Sequence, residues 1–172
     1  MSFFPDGFDF TSPTALVFEL ININTSEGDF GFLLGSDGVF TDATGKDWIG
    51  STLFSGEAPG VGLGGVAEAA SLSMSYADDP ENPAEVIDRL RDLGSAYVAD
   101  RPVTYYLQCF DHEAQLYAPR YAPIQTATQI ARHLSFDAPS AFERSITLHM
   151  ESEFAVRGQV KRLVYNTASH VR

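Results

Sequence analysis

Along most of the chain apolar and polar positions alternate with period two, the pattern of half-buried β-strands. In Ala70–Tyr76, Leu72, Met74 and Tyr76 point one way while Ser71, Ser73 and Ser75 point the other. Arg144–Phe154 repeats this, with Ile146, Leu148 and Met150 opposite Thr147, His149 and Glu151. Thr14–Asn24 (TALVFELININ) reads as a strand of β-branched and aromatic residues. Turns at Ser26–Asp29 and Ser36–Gly38, and a loop at Asp42–Asp47, separate short strands at Phe30–Leu34, Val39–Thr41 and Trp48–Gly50. Residues 55–65 read as loop. Pro102–Phe110 is a further strand, with Val103, Tyr105, Leu107 and Cys109 on one side. Asp111-His112-Glu113 turns the chain into Ala114–Ala118, Ile124–Phe136 is a long polar strand or strand pair, and Gln159–Tyr165 is a last short strand or an arm.

One helix interrupts this pattern. Asn82 suits its cap, Pro83 its first turn and Glu85 the positive end of its dipole. Val86, Ile87, Leu90 and Leu93 form one apolar face, and Gly94 suits the position after the last turn. Residues 1–13, with Phe3, Phe4, Phe8 and Phe10 between Pro5 and Pro13, read as an extended arm. Exposed phenylalanines are unfavourable in water, so the arm is expected to pack on this domain or on a neighbour. The expected organisation is an N-terminal arm (1–13), a domain (14–156) and a C-terminal arm (157–172). The expected fold is mainly β: an antiparallel barrel or sandwich with one helix at about 83–93.

Composition and charge sharpen this. The 172 residues suffice for one domain with a real core, and 44% apolar with 20% charged residues fits a globular chain. No apolar run approaches the roughly 18 residues of a membrane helix. The N-terminus lacks the basic and apolar regions of a signal peptide, so cytoplasmic synthesis is expected. Net charge is −12, which disfavours unassisted nucleic-acid binding. The charge is segregated: residues 1–153 hold seven bases and all 23 acids, net −16, whereas residues 154–172 hold four bases (Arg157, Lys161, Arg162, Arg172) and no acid, net +4.

Candidate chemistry is sparse. The single Cys109 excludes an intramolecular disulfide and an all-cysteine metal centre within one chain. It reads as a buried, inert thiol. Gly60, Gly62, Gly64 and Gly65 lack the lysine and hydroxyl of a phosphate loop and read as a surface loop. His112, His133, His149 and His170 show no metal-ligand spacing; Asp111-His112-Glu113 reads as a polar hairpin turn. The acidic run Asp78-Asp79-Pro80-Glu81 lacks the spacing of a calcium loop. Glu151 and Glu153 share a strand face in the manner of a glycosidase pair, yet an exposed polar face explains them more simply. The chain is expected not to be an enzyme and to hold no metal or cofactor. Trp48, Tyr76, Tyr105, Tyr106, Tyr117 and Tyr121 supply an alternative, a carbohydrate- or receptor-binding β module that stacks sugars on aromatic rings.

The stretch 143–165 (ERSITLHMESEFAVRGQVKRLVY) resembles a segment of tail-hub and distal-tail proteins of long-tailed bacteriophages and gene transfer agents. In those proteins a strand of the form t-I-x-L-x-x-E-S precedes a basic R-x-x-x-x-R-x-Y run. Ile146, Leu148, Glu151 and Ser152 match the first half, and Arg157, Lys161, Arg162 and Tyr165 the second. Leu16–Ile23, the D-G-V-F of Asp37–Phe40, the W-x-G of Trp48–Gly50, the Ser/Leu strand and the E-V-I-D-R-L helix follow the same layout. The resemblance implies a barrel of tail-tube type, assembled as a trimeric or hexameric ring at the virion tail tip in the host cytoplasm. That ring would join the tail tube to hub or fibre proteins and let DNA pass unbound. Hub relatives often carry clustered cysteines for an iron–sulfur centre; one cysteine does not support that here. Phe3, Phe4, Phe8, Phe10, Arg157, Lys161, Arg162, Tyr165 and Arg172 are the expected assembly contacts, and an acidic body with a basic arm suits docking onto copies of itself or onto acidic neighbours.

Overall fold

The computed structural model describes residues 4–9, 11–13, 15–51, 54–56, 69–77, 94–137 and 143–152. Nine strands form one sheet among them: β1 Leu16–Thr25, β2 Gly28–Leu34, β3 Gly38–Thr41, β4 Asp47–Ser51, β5 Phe54–Gly56, β6 Ala69–Ala77, β7 Pro102–Phe110, β8 Ile124–Asp137 and β9 Glu143–Ser152. Their spatial order is β3-β4-β2-β1-β7-β8-β9-β6-β5. The mainly β expectation holds. The helix expected at 83–93, the glycine loop at 60–65 and the basic arm at 157–172 lie outside the described residues.

The sheet rolls back on itself. Phe32 of β2 stacks on Phe54 of β5 with ring centroids 4.7 Å apart, although five strands separate β2 from β5 in the sheet order. The inner side is lined by Ile21, Ile23, Leu72, Val103, Ala131, Leu148 and Met150. On the outer side Leu20, Leu33, Phe40, Trp48 and Phe110 form a second core. β1 serves both: Ile21 and Ile23 point in, while Leu16, Phe18 and Leu20 point out. A strand covered on both faces must be apolar at successive positions, which explains why LVFELINI shows no clean alternation.

Two local findings depart from the sequence reading, and a third decides between its alternatives. The sheet is not wholly antiparallel, because β4 pairs β2 in parallel through Phe32–Leu34 and Ile49–Ser51. The β3–β4 hairpin swings out so that β4 sits between β3 and β2. Glycine makes this approach possible: a Cβ on Gly50 would stand 2.2 Å from the Ser36 carbonyl oxygen, and one on Gly31 would stand 2.9 Å from the Asp47 carbonyl oxygen. Asp111-His112-Glu113 is not a simple hairpin turn. It leads into a 3-10 turn at Glu113–Leu116 and a long connection to β8, and Asp111 is buried. Third, β8 is one continuous strand whose register slips against β7 between Tyr105 and Tyr106 and against β9 between Ala131 and His133. Such bulges re-aim side chains.

Candidate assembly surfaces

Asp111 ties down the N-terminal arm. Its carboxylate accepts hydrogen bonds from Tyr121 Oη (2.8 Å), the Asp9 amide (3.2 Å) and Gln115 Nε2, and its carbonyl accepts one from Ser12 Oγ. Burial alone would raise the Asp111 pKa. The donors Tyr121, Asp9 N–H and Gln115, with the nearby His112, outweigh it and hold the carboxyl below its ordinary value. The Tyr121 hydroxyl also lies 2.9 Å from the Gly7 carbonyl. Phe8 lies 5.9 Å from the Tyr121 ring and 5.1 Å from Phe4. Of the expected contact residues, the structure therefore places Phe4 and Phe8 at the arm's docking point on its own domain. Phe3, Phe10, Arg157, Lys161, Arg162, Tyr165 and Arg172 lie outside the described residues.

The β3–β4 hairpin offers a second surface. Its turn is organised by the buried Asp42, whose carboxylate accepts from Trp48 Nε1 (2.8 Å), the Thr44 hydroxyl (2.5 Å) and the amides of Thr44 (2.7 Å) and Lys46 (3.2 Å). Burial would raise the Asp42 pKa, but these four donors lower it overall. The Lys46 ammonium caps the far side of Trp48 at 4.4 Å and donates to Asn22 Oδ1. One hairpin face thus joins the outer core. On the opposite face Val39 and Ile49 are register partners, 68% and 54% exposed, and Ile49 pairs in turn with Phe32. An apolar row therefore runs from the inner core out to the edge strand and ends in solvent.

The remaining candidates mostly resolve into structural roles. Cys109 is buried, and burial pushes its thiol pKa up, so it is no ready nucleophile. Trp48, Tyr105 and Tyr121 are core residues rather than a sugar platform. Burial pushes the Tyr105 pKa up to about 12, and its hydroxyl lies 3.7 Å from the Met150 sulfur. Tyr106 packs on Trp48, whereas Tyr117 is 91% exposed. Glu151 is held by Arg132 Nε at 3.0 Å, and Glu153 lies outside the described residues. Among the described residues no three histidine, cysteine, aspartate or glutamate side chains converge.

The structure does bring together two histidines that sequence spacing kept apart. His133 and His149 are register partners across β8 and β9, with rings stacked at 4.4 Å. Pairing Leu134 and Phe136 against Leu148 and Ile146 in a hairpin would have exposed this in the sequence.

No protein-family profile matches the chain. No curated protein sequence matches it. A solved chain from the virion of a native gene transfer agent particle is similar in fold, with a TM-score of 0.56 and 15% identity. The likeness covers 94% of this chain, which spans about half (49%) of that one.

Proposed function

We propose that this protein is a structural subunit of a phage-like virion, working at the tail tip in a ring that joins the tail tube to the distal hub or fibres. The observation that carries this reading is the fold likeness to a gene transfer agent virion chain over nearly the whole length. The role is mechanical rather than catalytic. Its partners are copies of itself, as a trimer or hexamer, together with tube and hub or fibre proteins.

Two physical features support the reading. Val39 and Ile49 leave an apolar row open at a sheet edge, a contact waiting for a neighbouring subunit. Asp29, Asp37, Asp47, Asp100 and Asp137 all stand exposed on a body of strongly negative charge. Such a surface repels DNA phosphates, so a strand threading the ring would pass without sticking. The basic segment 157–172 would dock on the acidic body of the next subunit.

Light scattering and negative-stain microscopy of the purified protein, alone and with its tail partners, test the proposal. Rings are the expected result; a strict monomer absent from purified particles would overturn it. Val39→Thr with Ile49→Lys should abolish ring formation while leaving the thermal midpoint of the monomer nearly unchanged, since both residues suit an exposed strand and place no like charges opposite one another. Deleting 157–172 should weaken incorporation into particles more than it weakens folding.

A further inference from the structure

We propose that His133 and His149 form a cross-strand chelate for a divalent transition ion of the zinc or nickel type, on the outer face of β8–β9. The two residues sit directly opposite one another in the ladder, with ring centroids 4.4 Å apart and planes within 15°. That pairing continues the register of Leu134 with Leu148, and the bulge between Ala131 and His133 sets Arg132 beside it as the extra residue. Ala131 and Leu134 serve the inner core, so the extra residue lets Arg132 reach Glu151 while His133 meets His149. Without the bulge, strand alternation would put only one of two successive side chains on that face.

The chemistry fits a pair of imidazoles. Two nitrogens bound to one ion at about 2.0–2.1 Å lie roughly 3–3.4 Å apart. Stacked rings at the observed spacing reach that separation by tipping about their soft χ2 angles. Ser135 Oγ lies 3.0 Å from His149 Nε2. If Nε2–H donates to that hydroxyl, the lone pair resides on Nδ1, and the serine orients the ligating ring as partners behind a metal ligand commonly do. His133 is exposed and His149 half-buried, so an ion and its waters can enter from solvent. Arg132 is already engaged by Asp100 and Glu151, which draws its positive charge away from the pair. Imidazole donors favour zinc, nickel and copper over magnesium or calcium.

Titration of the full chain with Zn²⁺, followed by calorimetry and by imidazole NMR, tests this directly. The expected result is one saturable site per chain, with His133 and His149 resonances moving together. His133→Gln and His149→Ala should each weaken binding at least tenfold, Ser135→Ala should weaken it less, and His112→Ala should leave it unchanged. His133→Gln alters an exposed side chain, so its metal-free thermal midpoint should match that of the parent and keep the comparison clean. Absence of saturable binding, or equal Zn²⁺ affinity in the His133→Gln chain, would overturn the proposal.

Discussion

On the inner side of the sheet, Ile21, Val103, Ala131, Leu148 and Met150 meet as aliphatic side chains and one thioether. On the outer side, Phe18, Phe40 and Phe110 pack edge to face, with centroid separations of 5.0–5.6 Å. Trp48 joins them through a hydrogen bond to a buried carboxylate. The inner core closes the rolled sheet mainly by aliphatic packing, with one stacked ring pair, Phe32 on Phe54, where β2 meets β5. The outer core attaches a hairpin that lies outside the roll, and it needs direction. Edge-to-face rings and the Asp42–Trp48 bond supply that direction, because both have preferred geometries that aliphatic contacts lack.

Substitutions probe this difference. Trp48→Ala removes the largest fully buried side chain and leaves Asp42 short of a donor, so a loss of about 3–5 kcal/mol is expected in denaturant unfolding. Met150→Ala on the inner side, which removes a buried side chain and leaves a cavity, should lose about 2–5 kcal/mol. If Met150→Ala proves the more damaging, the outer core is the adaptable one and the comparison reverses. Asp42→Ala should lose about 1–3 kcal/mol by stranding the Trp48 and Thr44 donors. A value near zero would mean that the rings alone hold the hairpin. Ile21→Val should lose about 0.5–1.5 kcal/mol. Tyr117→Ala, at an exposed position in neither core, should stay within about 0.5 kcal/mol of the parent.

Acid separates the same regions by charge. The pKa values of Asp42 and Asp111 are both lowered in the folded state. Their contribution is therefore present above the ordinary carboxylate pKa of about 3.9 and lost as pH falls through the lower folded values. Stability should drop more steeply below about pH 4, and Asp42→Asn should remove part of that drop in acid titrations followed by fluorescence. An unchanged acid profile would show that Asp42 titrates alike in the folded and unfolded chains.

Most strands were legible in the sequence. β6 and β9 alternate because one face is buried and the other wet, and Leu72, Leu148 and Met150 are buried as the pattern requires. The β1 and β7 runs also read as strands, but their two-sided burial did not follow, since a second core appears only once β3 and β4 pack. Assembly surfaces were less legible. The Phe-rich arm signalled contact without naming Asp111 and Tyr121 as its anchors, because their hydrogen bonds join positions about 100 residues apart.

The sequence by itself determined the mainly β class, most strand spans, the inert Cys109 and the segregation of acid from base. These rest on local periodicity and composition, which each segment carries alone. Only the tertiary structure decided the parallel β2–β4 pairing, the outer aromatic core, the anchoring of the arm by Asp111 and the meeting of His133 with His149. Each depends on strand order and register, and a one-residue shift in register moves a side chain to the other face of the sheet.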